Sequence, residues 1–312
     1  MNDYIVLSDT NCELNKELRE RFGMTDFVRA HLITPDKVDH QTDLDWELFP
    51  DRDAFYKQLS NKKLDFSTAP ASPDELKAKF EEYLAKGVDV IFVSISTGLS
   101  GTYNFALMAR KELLEKYPER KIAVIDTMRY SVAIGMLTAE ACLMHKEGKS
   151  FEEVVDWLEN NKNRLHEMGP MDDLFFLARK GRVASGAAFM GTLVGVKPLG
   201  DFNMQGMTTV LTKVTGTKNA IETSVKYIQA TIENPEEQII WIAHTDRQKN
   251  AEMLRDRIQE VIKPKEIIML LAGPSTATNV GPGLYAAYYY GKPISQDGSA
   301  EQAIMNQITG KK

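Results

Sequence analysis

Val88-Asp89-Val90-Ile91-Phe92-Val93-Ser94-Ile95-Ser96-Thr97-Gly98-Leu99-Ser100-Gly101-Thr102-Tyr103-Asn104 decides how the rest of the chain is read. The apolar run from Val88 to Val93 has the length and composition of a buried strand, and Tyr103 to Tyr117 carries helical periodicity. A strand that ends in small hydroxyl and glycine residues and restarts as a helix is a ligand-binding turn in open α/β sheets. Gly98 and Gly101 allow close backbone approach. The hydroxyls add donors, and the helix N-terminus adds free N–H groups and partial positive charge. An oxyanion, phosphate or carboxylate, is the expected occupant.

Strands and helices alternate outward from this turn. Upstream, Tyr4 to Ser8 reads as a strand ending in Asp9-Thr10, where either residue can cap a helix outlined by Leu14, Leu18 and Phe22. Val28 to Ile33 reads as a second strand, and Phe55, Tyr56 and Leu59 mark a short helix. Ser67-Thr68-Ala69-Pro70-Ala71-Ser72-Pro73 reads as a rigid loop opening a helix at Pro73 or Asp74. Its hydroxyls either cap that turn or face a ligand. Downstream, Ile122 to Ile125 is a strand ending in Asp126-Thr127, and helices follow over Ser131 to His145, with Gly135 marking close packing, and Phe151 to Leu165. This alternation argues for a parallel sheet covered on both faces.

The pattern changes after His166. Asp172 to Arg182 reads as a helix stopped by Gly181, and small residues fill Ala184 to Gly191. Val194 to Leu199 and Met207 to Val214 form a β-hairpin across Asn203 to Gly206, followed by alternating helices and strands to Leu271. Gly273 to Gly283 is a third loop rich in glycine and hydroxyl groups. The expected fold is α/β with two domains. Residues 1–165 form an N-terminal α/β/α parallel-sheet domain; residues 166–312 form a C-terminal α/β domain with a mixed sheet, its last segment available to pack back on the first.

Composition narrows the function. The chain has 312 residues, 43% hydrophobic and 26% charged, which is ordinary for a soluble globular protein. A net charge of −6 argues against nucleic-acid binding by bulk electrostatics. Long apolar runs and a basic, apolar N-terminal signal are absent, and Cys12 and Cys142 have no disulfide or metal spacing. A reducing cytoplasm is expected, with no membrane span, metal or cofactor. Neither a G-x-x-x-x-G-K-[ST] loop nor a G-x-G-x-x-G turn follows the first strand.

Three donor-rich loops without a nucleophile–base pair point toward binding an anion, not turning it over. Asp126 and His244 are the available bases, though each has a structural reading as well. Phe189 to Val194 and Leu284 to Tyr290 offer apolar walls, or simply core. An amphiphile fits: carboxylate on hydroxyls and N–H groups, chain in an apolar tunnel, each buried methylene adding roughly 0.8 kcal/mol.

In this order the motifs resemble the DegV family of fatty-acid-binding proteins over nearly the whole chain. The resemblance runs through Ser8-Asp9-Thr10, Ser67-Thr68-Ala69-Pro70, Ile95-Ser96-Thr97-Gly98-Leu99-Ser100-Gly101-Thr102-Tyr103, Ile125-Asp126-Thr127, Gly181-Arg182-Val183, Lys197-Pro198-Leu199 and Thr278-Asn279-Val280-Gly281-Pro282-Gly283. It implies two α/β domains with a long-chain fatty acid held between them. The carboxylate would meet Ser67 with Thr68 beside it, and Ser96 on the central turn with Ser100 in reserve. Thr97, Gly98, Thr278 and Asn279 complete the implied ligand set, and Arg182 would support partner docking or local structure. The resemblance further implies a lipid-carrying subunit, not an enzyme by itself, that presents the acid to a separate ATP-dependent fatty-acid kinase subunit for acyl-phosphate formation. One position departs: Asn279 stands where the family has histidine. An amide can donate to a carboxylate but carries no charge. That departure keeps two alternatives open, a carrier without kinase coupling and an enzyme or binding protein for a small polar or phosphorylated ligand.

Overall fold

The computed structural model describes residues 3–172, 175–181 and 195–311. The chain divides into two compact units. One comprises Met1–Pro50, Asp65–Lys162 and Gly273–Ser275; the other comprises Asp51–Leu64, Asn163–Ala272 and Thr276–Lys312. In chain order to Lys162 the elements are β1 (Tyr4–Ser8), α1 (Lys16–Phe22), β2 (His31–Ile33), β3 (Asp39–Gln41), α2 (Arg52–Leu59), β4 (Ser67–Ala69), α3 (Pro73–Leu84), β5 (Asp89–Ser94), α4 (Thr102–Lys116), β6 (Ile122–Asp126), α5 (Val132–Lys146) and α6 (Phe151–Asn161). Of these, α2 belongs to the second unit.

The first unit is built on a parallel sheet in the order β1-β5-β6, with Tyr4 opposite Asp89 and Val90 opposite Ile122. Every residue of β5 is buried, as a central parallel strand requires. Val90 and Phe92 share a core with Leu76, Phe80 and Leu84 of α3 and with Ala106, Ala109 and Leu113 of α4. Helix α5 is buried over most of its length, and at Gly135 an added Cβ would run into the carbonyl oxygen of Cys12. The absent side chain is what lets that helix and the turn after β1 approach.

A second, antiparallel sheet in the order β3-β2-β4 differs from the expectation. Ser67–Ala69 is a strand paired with β2, with Ser67 opposite Ile33 and Thr68 opposite Leu32, and not a loop. Strands of three residues are too short to show alternation, and Pro70 ends this one before any pattern develops. The helix does open at Pro73, where Ser72 and Glu75 form a reciprocal capping box. Neither Asp9 nor Thr10 caps α1. Asp9 caps a short 3-10 turn, and Asn15 accepts from Leu18 N–H to start the helix.

The second unit continues with β7 (Leu165–Pro170), α7 (Phe175–Lys180), β8 (Val196–Phe202), β9 (Thr208–Thr215), α8 (Thr217–Thr231), β10 (Ile239–His244), α9 (Gln248–Val261), β11 (Glu266–Leu271), α10 (Pro274–Val280), β12 (Tyr285–Tyr290) and α11 (Ser299–Thr309). Its mixed sheet runs β11-β10-β12-β7-β8-β9, with β10 and β11 parallel and the other pairs antiparallel. The hairpin read at Asn203 to Gly206 joins β8 to β9. Tyr285, Ala287 and Tyr289 point into the core with Ile240, Ile242, Leu254 and Ile258, so alternate residues of the expected apolar wall are core.

Strand β7 was not expected, and its polarity explains why. Buried His166 and Glu167 sit mid-strand. Asp201 anchors them: its Oδ2 receives His166 Nδ1 and the Tyr227 hydroxyl, and its Oδ1 receives Glu167 N–H at 3.0 Å. His166 Nε2 bonds to Lys292 O at 2.7 Å. Among the described residues no helix is long and apolar enough to cross a membrane.

The contact at Gly135 yields a stability prediction. Gly135→Ala gains helix propensity but forces a methyl against backbone, so urea unfolding should show a net loss of about 1–3 kcal/mol.

Candidate functional site

Parallel strands deliver their C-terminal ends to one edge of the sheet, and in the first unit side chains stitch those ends together. The Ser8 hydroxyl donates to Val93 O at 2.7 Å and the Thr127 hydroxyl to Ser94 O at 2.8 Å. Ser96 N–H donates to Arg129 O at 2.9 Å. The carbonyls that the ladder leaves over thus find partners within the protein, which holds the loops of β1, β5 and β6 in register.

Ser96 organises the turn after β5. It is 1% exposed. Its Oγ accepts Gly98 N–H at 3.1 Å, and its carbonyl accepts Leu99 and Ser100 N–H, both at 3.1 Å. Accepting through Oγ leaves the hydroxyl proton, for which no described residue supplies an acceptor. Thr97 and Gly98 are exposed at the tip. Thr97 N–H donates to Asp126 Oδ1 at 3.3 Å, which also receives Met128 N–H at 3.0 Å. Asp126 is therefore a backbone brace for two loops. The Ser100 hydroxyl bonds to that of Thr102 at 2.9 Å and its oxygen accepts Thr102 N–H at 3.3 Å, so Ser100 serves the start of α4. Ser96 is the donor with a proton to give.

Ser67 and Thr68 lie half-buried on β4, in the other sheet of the same unit. Thr278 and Asn279 lie in the second unit on α10, a helix where a loop was expected. Thr278 is fully buried, and its Oγ1 has no hydrogen-bond partner among the described residues. The turn after α10 is tied to β10: the Thr245 hydroxyl donates to Gly281 O at 2.7 Å and accepts Leu284 N–H at 3.0 Å. Gly281 and Gly283 adopt φ of 73° and 121°, which explains both glycines. His244, at the end of β10, is 5% exposed; burial pushes its pKa down, against the bond to Gln248 and nearby acids. Arg182 and Phe189 to Val194 lie outside the described residues.

Three buried charges at the first unit's sheet edge escaped the sequence reading. Arg129 is fully buried, with Nη1 donating to Met128 O at 2.7 Å. Glu13, at φ 61°, receives the Ser131 hydroxyl at 3.2 Å on Oε1 and Gly273 N–H on Oε2. Asp9 is 1% exposed; Oδ1 receives the Asn11 N–H and amide, while Oδ2 has no partner among the described residues. A charge beside a strand end looks the same in sequence whether solvated or buried. The Asp-Thr at residues 9 and 10 was the available hint.

A family model described as an uncharacterised protein of the DegV family matches residues 4–292. A DegV domain-containing protein of Clostridium perfringens is 33% identical over 291 residues, covering 93% of this chain and 98% of the relative. Among solved structures, a fatty-acid-binding DegV family protein from Thermus thermophilus superposes with a TM-score of 0.82 at 26% identity, covering 93% of this chain and all of that one. The Streptococcus pneumoniae fatty acid kinase B3 protein, loaded with linoleic acid, has the same fold, with a TM-score of 0.77 at 19% identity over 92% of this chain and 99% of that one.

Burial sets a pH dependence at Asp9. Desolvation pushes its carboxyl up to about 6 from 3.8, against the pull of the Asn11 bonds. The folded state holds the proton through a range in which the unfolded chain has released it, so this group's stabilising contribution falls as pH rises from 3.8 toward 6. Asp9→Asn has no such titration. Its stability relative to wild type should rise between about pH 4 and about pH 7 by on the order of 2 kcal/mol, read by urea unfolding across the range.

Proposed function

The chain belongs to the DegV family, and on that premise we propose that it binds a long-chain fatty acid whose carboxylate is received by the turn after β5. The observation that carries this reading is the Ser96 hydroxyl: buried, oriented by Gly98 N–H, and left with one proton that no described residue accepts. A carboxylate oxygen is the complementary acceptor, and a hydrogen bond to a charged group is worth about 1.5–3 kcal/mol. Gly98 at the exposed tip adds close approach, and Thr97 lies beside it. Ser67 and Thr68, in the same unit, are assigned to the same head group; Thr278, whose Oγ1 has no hydrogen-bond partner among the described residues, and Asn279 are assigned as ligand residues by the family resemblance. Ser96 is assigned to orient the ligand and not to act as a nucleophile, because among the described residues no base is bonded to it.

We assign the chain the role of a lipid carrier that hands the acid to a separate ATP-dependent kinase subunit. The fatty-acid-binding Thermus thermophilus relative and the shared fold of the fatty acid kinase B3 protein support that assignment. Neutral Asn279 supplies a hydrogen bond without charge, so head-group affinity rests on hydroxyls and backbone amides.

Lipid extraction and mass spectrometry of the purified protein should recover a fatty acid. Failure to recover one, together with no binding of added oleate or palmitate, refutes the proposal. Ser96→Ala should weaken oleate binding about tenfold or more in a fluorescence displacement titration, in line with one charge-assisted bond. In a reconstituted reaction with a fatty-acid kinase subunit, Asn279→His should increase acyl-phosphate yield if the lost charge limits coupling; an unchanged yield makes the amide neutral to transfer.

A further inference from the structure

His31 stands on β2, the middle strand of the antiparallel sheet in the first unit, opposite Ala69 of β4. Both of its ring nitrogens meet carboxylates. Nδ1 lies 3.0 Å from Asp39 Oδ1 on β3, and Nε2 lies 3.1 Å from each carboxylate oxygen of Glu75 on α3. Glu75 is also the reciprocal cap of α3: it accepts the Ser72 N–H and hydroxyl, each at 2.8 Å, and the Gln41 amide at 3.3 Å. Burial works against its charge, but Ser72 and His31 outweigh burial and draw its carboxyl down to about 2. A carboxylate only accepts. With one on each side, both ring nitrogens must donate, and the ring that does so is the imidazolium. Among the described residues, Asp39 from β3 and Glu75 from α3 are the charged groups that act on it. Partial burial pulls the ring's pKa down, and the bonds and charges of Glu75 and Asp39 more than reverse that, leaving it above the ordinary 6.5.

Given the assignment of Ser67 and Thr68 to the fatty-acid head group, we propose that His31 is a proton-operated clasp that holds β4 in place for that head group. The strand is tied to β2 twice. One tie is the ladder; the other runs from Ser72, three residues beyond Ala69, through Glu75 to the His31 ring. A neutral ring has a single N–H. It can hold one carboxylate and must turn a lone pair toward the other, and the bond that survives loses its charge assistance. The clasp is complete below pH 6.5 and is lost as pH rises through the higher value of the folded ring. Fatty-acid affinity follows it, strongest on the acid side.

Two measurements on the full chain, from about pH 6 to about pH 9, test this. Amide exchange, corrected for its intrinsic pH dependence, should show protection at residues 67–69 falling about two- to fivefold in the wild type. Oleate affinity, read by fluorescence displacement, should fall by a similar factor. His31→Gln keeps one N–H donor and does not titrate, so its protection and affinity should stay level. Glu75→Gln keeps a capping side chain without the charge and should abolish the pH dependence in the same way. Wild-type protection that stays level overturns the clasp, whether or not ligand binds. Falling protection with level oleate affinity overturns its link to the head group. Falling protection in a chain that binds no fatty acid at any pH sustains the clasp and refutes the lipid reading instead.

Discussion

Strands that run side by side in one direction end together, and their last carbonyl and amide groups must bond to something other than a ladder. In the first unit that requirement is met by hydroxyls: Ser8 on Val93 and Thr127 on Ser94, with Ser96 N–H on Arg129 completing the seam. Each such bond contributes about 1 kcal/mol net, but a buried group left without one costs about 1–3 kcal/mol. The seam therefore places the loops at the strand ends more than it strengthens the sheet. Ser96, Thr97 and Asp126 take their positions from it.

The frame was legible where a physical period or a punctuating residue marked it. The apolar block of β5, the amphipathic α4, the β8–β9 hairpin and the close approach at Gly135 all follow from side-chain spacing or from a missing side chain. Three features had no such mark. The strands β3 and β4 have three residues each, less than two periods of alternation. Helix α10 is composed of Pro, Ser, Thr, Ala, Asn and Val, mostly weak helix formers, so neighbouring structure decides its state. Strand β7 carries a histidine and a glutamate in its middle; Asp201 and the Lys292 carbonyl meet the histidine ring, and the Thr208 hydroxyl meets the glutamate carboxylate.

The candidate site divides along similar lines. The hydroxyl and glycine composition of the turn after β5 marks it as a candidate site in the sequence, and the structure ranks its members by the bonds they already make. Ser96 keeps a proton; Ser100 is committed to α4; Asp126 braces backbone. Sequence offers no such ranking, because Ser96 and Ser100 are chemically the same residue four positions apart. The burial of Arg129, Glu13 and Asp9 has no mark in the sequence for the converse reason: charged residues are usually solvated, and burial is decided by distant segments.

One of those distant segments has a consequence for biogenesis. Glu13 receives its bond from Gly273, and residues 273–275 belong to the first unit although most of the second unit precedes them in the chain. A ribosome releases the chain from its N-terminus, so the first unit waits, with the carboxylate of Glu13 short of one partner, until residue 273 has been made. Residues 51–64 join the second unit from the other direction, emerging long before the sheet that receives them. The two units are interlaced in time: neither can be completed from a continuous stretch of message, and a nascent chain cut at the apparent boundary leaves both unfinished.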